Sequence, residues 1–200
     1  MGMKPALVKK FFPNLLSWKE LEYLINIRPL MNIERVAVLD ENRNRIDEIE
    51  WDNSPWTIDT DCYPPHLLRE YIEKYVCIFH DMSRCSFNIN KVAETLEKKF
   101  NKSVDAHVYV CRNVNAVHPF GVHADKVDNL IVQCEGKTNF KVWDPDGKLV
   151  VDCAMIPGDA VFIPASFPHE VTTLTPRMSV SFPLHTDHPT TFEDRTWIKL

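Results

Sequence analysis

The sequence predicts an α+β chain in which a helical N-terminal half leans on a C-terminal jelly-roll barrel. Three observations predict it. From residue 104 onward, short apolar or alternating runs recur at close spacing. Turn-forming segments separate them, namely Glu135-Gly136-Lys137, Asp144-Pro145-Asp146-Gly147 and Pro157-Gly158-Asp159. Before residue 104, capping residues and helical periodicity dominate instead. About seven or eight short strands at such spacing form a sandwich or a barrel.

The elements follow in order. Ser17-Trp18-Lys19-Glu20 is a capping box, with Ser17 as N-cap and Glu20 placed to reach back to its amide. Leu16 and Leu21 form the accompanying staple, Leu24 and Ile25 extend that face, and Pro29 closes the helix. Ile33 to Leu39 and Arg45 to Glu50 flank a polar turn and read as a hairpin. Pro64-Pro65 opens a second helix with apolar positions Leu67, Leu68, Tyr71, Ile72, Tyr75 and Val76. A third helix is expected from Asn90 to Phe100, with Asn101 as its C-cap. Strands are then expected at Val104–Cys111, Asn129–Cys134, Thr138–Trp143, Leu149–Cys153, Ala160–Ile163, Val171–Leu174 and Met178–Leu184.

A chain of 200 residues suits one domain with a real core: a mainly helical part over 1–103, a jelly roll over 104–184 and a tail over 185–200. Its 44% hydrophobic and 26% charged residues are those of an ordinary globular protein. With net charge −5 and no basic stripe, the chain lacks a nucleic-acid footprint, which leaves protein and small-molecule partners open. The six cysteines (Cys62, Cys77, Cys85, Cys111, Cys134, Cys153) form no C-x-x-C pair and read as free thiols in a reducing compartment. With no leader-like segment and no apolar run of about 18 residues, the expected location is the cytoplasm, off the membrane.

Chemistry concentrates in Phe120-Gly121-Val122-His123-Ala124-Asp125. In an extended segment residues i and i+2 share a face, so His123 and Asp125 can reach one metal ion together. His169 lies 44 positions after Asp125, and a jelly roll returns the chain beside itself after several strands. Two imidazoles and one carboxylate form a facial triad with open positions, the donor set suited to Fe(II) and O2 chemistry.

Several of these pieces occur together in a known order. The stretch His123 to Trp143, the turn Pro157-Gly158-Asp159 and the run Phe162-Ile163-Pro164 to His169 resemble JmjC-type, cupin-like Fe(II)/2-oxoglutarate-dependent oxygenases. The resemblance implies a double-stranded β-helix barrel with His123, Asp125 and His169 as metal and catalytic residues. It also implies 2-oxoglutarate as cosubstrate, decarboxylated to succinate while a substrate is oxidised by O2, most simply by hydroxylation. Substrate contacts are then expected from the loop Asn113–Gly121 and the N-terminal half.

One position departs from that pattern. Similar oxygenases carry Lys or Arg fifteen positions after the first histidine, where this chain has Thr138. Arg177-Met178-Ser179, beginning eight positions after His169, resembles an R-x-S element that grips the far (C5) carboxylate of 2-oxoglutarate in related enzymes. Arg177, Ser179 and Ser181 share one strand face, and an arginine fork suits a carboxylate. Asn129 and Tyr109 are further cosubstrate candidates, so the anchor stands open between Arg177 and a Thr138/Tyr109 pair.

Two other readings compete with a 2-oxoglutarate oxygenase. One is a metal-dependent cupin enzyme that does not use 2-oxoglutarate, favoured by Thr138. The other is a non-catalytic barrel serving as a binding module. Among the remaining histidines, His118 sits in the loop before the metal segment, and His185 with His188 suggests a polar tail more than a second metal site. His66, His80 and His107 offer no spacing argument.

Overall fold

Apolar alternation after residue 104 builds two facing sheets in the computed structural model, which describes residues 3–27, 32, 34–40, 42, 44–46, 62–115 and 120–185. Among the described residues, three α-helices are formed: α1 (Trp18–Leu24), α2 (Pro65–Lys74) and α3 (Phe87–Phe100). The strands are β1 (Ala6–Val8), β2 (Val36–Leu39), β3 (Val76–Phe79), β4 (Ser103–Val104), β5 (His107–Cys111) and β6 (Asp128–Glu135), followed by β7 (Thr138–Trp143), β8 (Leu149–Met155), β9 (Ala160–Ile163), β10 (His169–Thr173) and β11 (Arg177–His185). The large antiparallel sheet runs β1-β9-β6-β11-β5-β3-β2, with β4 also on β11, and the small one runs β10-β7-β8.

Strand periodicity explains why the central strands are buried on both faces. On β6 and β11, Leu130, Val132, Cys134, Met178, Val180, Phe182 and Leu184 point to a core shared with the helices. Their alternate neighbours point between the sheets, where Ile131 joins Phe140, Val142, Met155, Val161, Ile163 and Val171. Asn129, Gln133, Arg177, Ser179 and Ser181 are also buried on that inner side. A polar strip inside an otherwise apolar barrel is costly unless its groups are paired, so it marks a site.

The jelly-roll strands fall where expected, and the differences have local causes. The expected run Val104–Cys111 is two strands, interrupted at Asp105-Ala106. β3 takes Val76 out of the second helix: Tyr75 is already extended (φ −124°, ψ 175°), and all four residues that follow are buried. Four apolar residues in succession carry no period, so helix and strand read alike there. α3 begins at Phe87, earlier than expected, and ends as expected with Asn101 left-handed (φ 52°). β1 was not foreseen, since three residues give no periodicity. Together β1, β2 and β3 tie the N-terminal half into the large sheet, so that half is more than a helical layer.

The capping box forms, with Ser17 N donating to Glu20 Oε2 (2.8 Å) and Glu20 N donating to Ser17 Oγ (3.3 Å). The turn after β2 closes through Asp40 N donating to Asn44 O (3.0 Å), and Ile46 N donates to Val38 O (2.9 Å). Ile33, Pro29 and residues 47–50 of the expected hairpin lie outside the described residues. Cys77, Cys85, Cys111, Cys134 and Cys153 carry thiols with no disulfide among the described residues. Among the described residues, no helix is long and apolar enough to cross a membrane.

At Gly136 the β6–β7 turn needs glycine. Its φ is +68°, and a Cβ there would stand 1.8 Å from Pro176 O. This close approach lets the turn pack against the residue that precedes Arg177.

Candidate metal centre and adjoining cavity

His169 opens β10 and sits opposite His123, which lies in an extended segment without a full ladder. The two backbones exchange both hydrogen bonds: His123 N donates to His169 O (3.1 Å) and His169 N donates to His123 O (2.8 Å). Asp125, two residues on, returns to the same side, and its carbonyl accepts from Ser166 N (2.8 Å). Asp128 secures the turn before His169, since its carboxylate accepts from Ala165 N (3.0 Å) and pairs with Lys102 (2.7 Å).

The side chains converge. His123 Nε2 lies 3.9 Å from Asp125 Oδ1, and His169 Nε2 lies 3.8 Å from Asp125 Oδ2. One donor atom from each of the three residues falls within 4.8 Å of the other two, the only such set of His, Cys, Asp and Glu among the described residues. Each imidazole is also oriented from behind. His123 Nδ1 is 3.1 Å from Gly121 O, and His169 Nδ1 is 3.1 Å from Phe167 O. A carbonyl can only accept, so both Nδ1 atoms carry the proton and both Nε2 lone pairs face Asp125. Carbonyl partners of this kind fix the tautomer in histidines that bind metals. Burial lowers the His169 pKa, aided by His123 and opposed by the Phe167 carbonyl and Asp125. This keeps the ring neutral, the form that offers a lone pair.

A cavity of about 130 Å³ leads inward from the triad. Period two along β10 stacks His169, Val171 and Thr173 on one inner face, a run of roughly 13 Å. On β11, Arg177 lies at the Thr173 end and Ser181 near the triad. Ser181 Oγ donates to Asn129 Oδ1 (2.8 Å), and Asn129 Nδ2 donates to Asp125 Oδ2 (3.3 Å). Tyr109, Asn129, Arg177, Ser179 and Ser181 line the space with apolar Phe120, Ile131, Phe140 and Val171.

Arg177 is 2% exposed. Its Nε donates to Thr173 Oγ1 (3.1 Å) and its Nη1 to Ser179 Oγ (3.4 Å). Its Nη2 is buried with no partner among the described residues. Burial pushes the guanidinium below its ordinary pKa, with Cys111 and Tyr109 opposing. Burial, with Asp125 adding to it and Arg177 opposing, pushes the Tyr109 phenol up to about 12. A desolvated cation with an unmet donor, facing a cavity, is the environment an anion fills.

The remaining sequence-derived candidates sort by position. Thr138 is fully buried but does not line the cavity; its hydroxyl donates to Gln133 Oε1 (2.8 Å). His118 and His188 lie outside the described residues. His80 and His107 meet in space, with Nδ1 atoms 3.1 Å apart, and Asp105 Oδ2 lies 3.6 Å from His107 Nε2. Sequence reasoning assigned no individual role to Gln133, Thr173 or Phe120, although Gln133 lies in the stretch that carries the resemblance and Phe120 in the loop expected to meet substrate. A glutamine inside the run Leu130-Ile131-Val132-Gln133-Cys134 was the available signal, because a polar group in a strand buried on both faces needs partners.

The model of the JmjC domain family matches residues 82–193. No curated protein matches the chain. Among solved structures, the ribosomal oxygenase YcfD of Escherichia coli is similar with TM-score 0.60 and 19% identity, covering 95% of this chain and 50% of that one. YcfD in complex with cobalt and 2-oxoglutarate is similar with TM-score 0.58 and 19% identity, over 93% of this chain and 49% of that one. YcfD with cobalt and succinic acid gives TM-score 0.58 and 18% identity over the same shares. The chain thus spans about half the length of these structures, and the likeness is one of fold.

Proposed function

Because the chain belongs to the JmjC domain family, we propose that it is an Fe(II)- and 2-oxoglutarate-dependent oxygenase that hydroxylates a protein or small-molecule substrate in the cytoplasm. One observation carries the reading. A cluster of two imidazoles and a carboxylate stands at one end of a cavity, and a buried arginine with an unpartnered Nη2 stands at the other. A five-carbon oxo-diacid has the matching chemistry, with a chelating end for the metal and a carboxylate for the guanidinium. The complexes of YcfD with cobalt and 2-oxoglutarate lend support from a protein of the same fold.

In this reading His123, Asp125 and His169 hold the iron through both Nε2 atoms and a carboxylate oxygen. Their Nδ1 carbonyl partners and the paired backbones keep the three donors in place before the ion arrives. Iron(II) and 2-oxoglutarate, when bound, supply dioxygen activation driven by decarboxylation to succinate. Arg177 anchors the far carboxylate, with Ser179 and Thr173 holding the guanidinium. Tyr109 stays protonated across the neutral range and offers a donor along the wall. Asn129 ties Asp125 to Ser181 and so to β11. Phe120, Ile131, Phe140 and Val171 keep water from the middle of the cavity.

The test is turnover. With Fe(II), 2-oxoglutarate and air, succinate should form in step with loss of 2-oxoglutarate, and His123→Ala should abolish it. A protein that binds Mn(II) yet never converts 2-oxoglutarate, across a broad panel of peptides and metabolites, would be a cupin enzyme of another kind. A protein with no Mn(II) site at all would be a binding module.

A further inference from the structure

Gln133 lies behind the cavity wall, 0% exposed, and does not line the cavity itself. Its side chain sits at the centre of a hydrogen-bond chain whose direction is fixed at one end by a backbone carbonyl. Gln133 Nε2 is 2.6 Å from Glu135 O. A carbonyl only accepts, so the amide nitrogen must be on that side and Oε1 on the other. Oε1 then accepts from two hydroxyls, Ser179 Oγ (2.9 Å) and Thr138 Oγ1 (2.8 Å). A serine has one hydroxyl proton. With that proton committed to Gln133, Ser179 Oγ meets Arg177 Nη1 only as an acceptor.

The consequence reaches the guanidinium. Thr173 holds Nε and Ser179 holds Nη1, so the group's plane is fixed and Nη2 is the arm left without a partner. If Ser179 were free to rotate, its proton would at times point at Nη1, donor against donor, and Arg177 would lose that support. We propose that Gln133 is a positioning residue for the anionic anchor: by taking the Ser179 proton it turns that serine into a fixed acceptor and aims Arg177 Nη2 into the cavity. The backbone carbonyl of Glu135 sets the direction of the whole chain. Thr138, at the position where similar oxygenases carry a basic residue, completes the same amide instead of meeting the cosubstrate. The inference rests on the 2-oxoglutarate reading above.

The experiment measures binding of two oxoacids to the Mn(II)-loaded full chain by calorimetry. 2-Oxoglutarate carries the far carboxylate and 2-oxobutyrate lacks it, so the second reports the metal end alone. In Gln133→Met, which keeps length and volume, 2-oxoglutarate affinity should fall about tenfold, the loss of one hydrogen-bonded support to a charged group. Affinity for 2-oxobutyrate should stay within about twofold, and Gln133→Met combined with Ser179→Ala should be no weaker than Ser179→Ala by itself. Gln133→Leu, which likewise offers Ser179 no acceptor, should show the same selective loss if the methionine variant folds poorly. Equal weakening of both oxoacids, or losses that multiply between positions 133 and 179, overturns the proposal. A wild-type protein that binds both oxoacids alike overturns the cosubstrate reading itself, and the Gln133 role with it.

Discussion

His123 and His169 are a hydrogen-bonded antiparallel pair whose imidazole centroids stand 4.2 Å apart. Two N–H to O=C bonds between their backbones hold the rings side by side. Metal binding should therefore find its donors already arranged, with little ordering cost at the moment of capture.

Removing either histidine tests that arrangement. His169→Ala and His123→Ala should each weaken Mn(II) binding about a hundredfold or more, exceeding what loss of a supporting group costs. Electron paramagnetic resonance titration of free Mn(II) measures it. The folded state should survive, since the backbone pairing does not need either ring.

Arg177→Met should separate stability from ligand binding. Without an anion, the wild-type side chain is a buried cation with an unmet donor. Methionine fills similar space without that cost, so the unliganded protein should gain about 1–3 kcal/mol. The same variant should lose about thirtyfold or more in 2-oxoglutarate affinity. Thermal unfolding with and without 2-oxoglutarate reads both effects.

Gly136→Ala should destabilise strongly. The added methyl would meet Pro176 O in a backbone conformation that alanine resists. A loss of at least about 2 kcal/mol is expected, read as a fall in urea midpoint. Because the clash pushes on the residue before Arg177, 2-oxoglutarate binding should weaken in the fraction that folds.

The His80–His107 pair predicts a pH dependence. One ring donates Nδ1–H to the other, so the pair accommodates both rings neutral and resists a charge on each. Burial lowers both pKa values from 6.5; at His80 neighbouring His107 and Arg45 add to this, and at His107 neighbouring His185 does, with Asp105 opposing at both and Asp81 at His107. In the unfolded chain these histidines take up protons as pH falls through about 6.5. The folded chain lags behind, so stability is full above that pH and declines below it. The melting temperature should drop between pH 7 and 5.5, and His107→Gln, which does not titrate, should flatten that part of the profile. Asp128 and Asp159, where lysine and backbone partners lower the pKa against opposing burial, act only below about 3.8, while His169, lowered by burial, keeps part of the decline in His107→Gln.

The barrel strands were legible because each is a short alternating or apolar run with clear turns at its ends. The capping box at Ser17 and the left-handed Asn101 were legible for a similar reason, since both depend on a few adjacent residues. β3 was not, because Val76-Cys77-Ile78-Phe79 follows α2 with no turn-forming residue between them, so its apolar run reads as a continuation of the helix. The candidate site divides along the same line. His123 and Asp125 are neighbours on one face of one segment, and Arg177 shares an inward face with Ser179 and Ser181 on one strand. Gln133, Thr173 and the His80–His107 pair gain meaning only from partners on other strands.

The sequence by itself determined the barrel, its strand order in the chain, the three donors and the inward polar face of β11, because period two and residue chemistry are local properties. Only the tertiary structure decided that Arg177 lies at the deep end of the cavity with one donor unmet, and that Thr138 serves Gln133 instead of the cavity. Those outcomes depend on strand register and sheet packing, which bring together side chains as far apart in the chain as Gln133 and Ser179, 46 positions. No local pattern encodes where a hydroxyl's single proton will point once they meet.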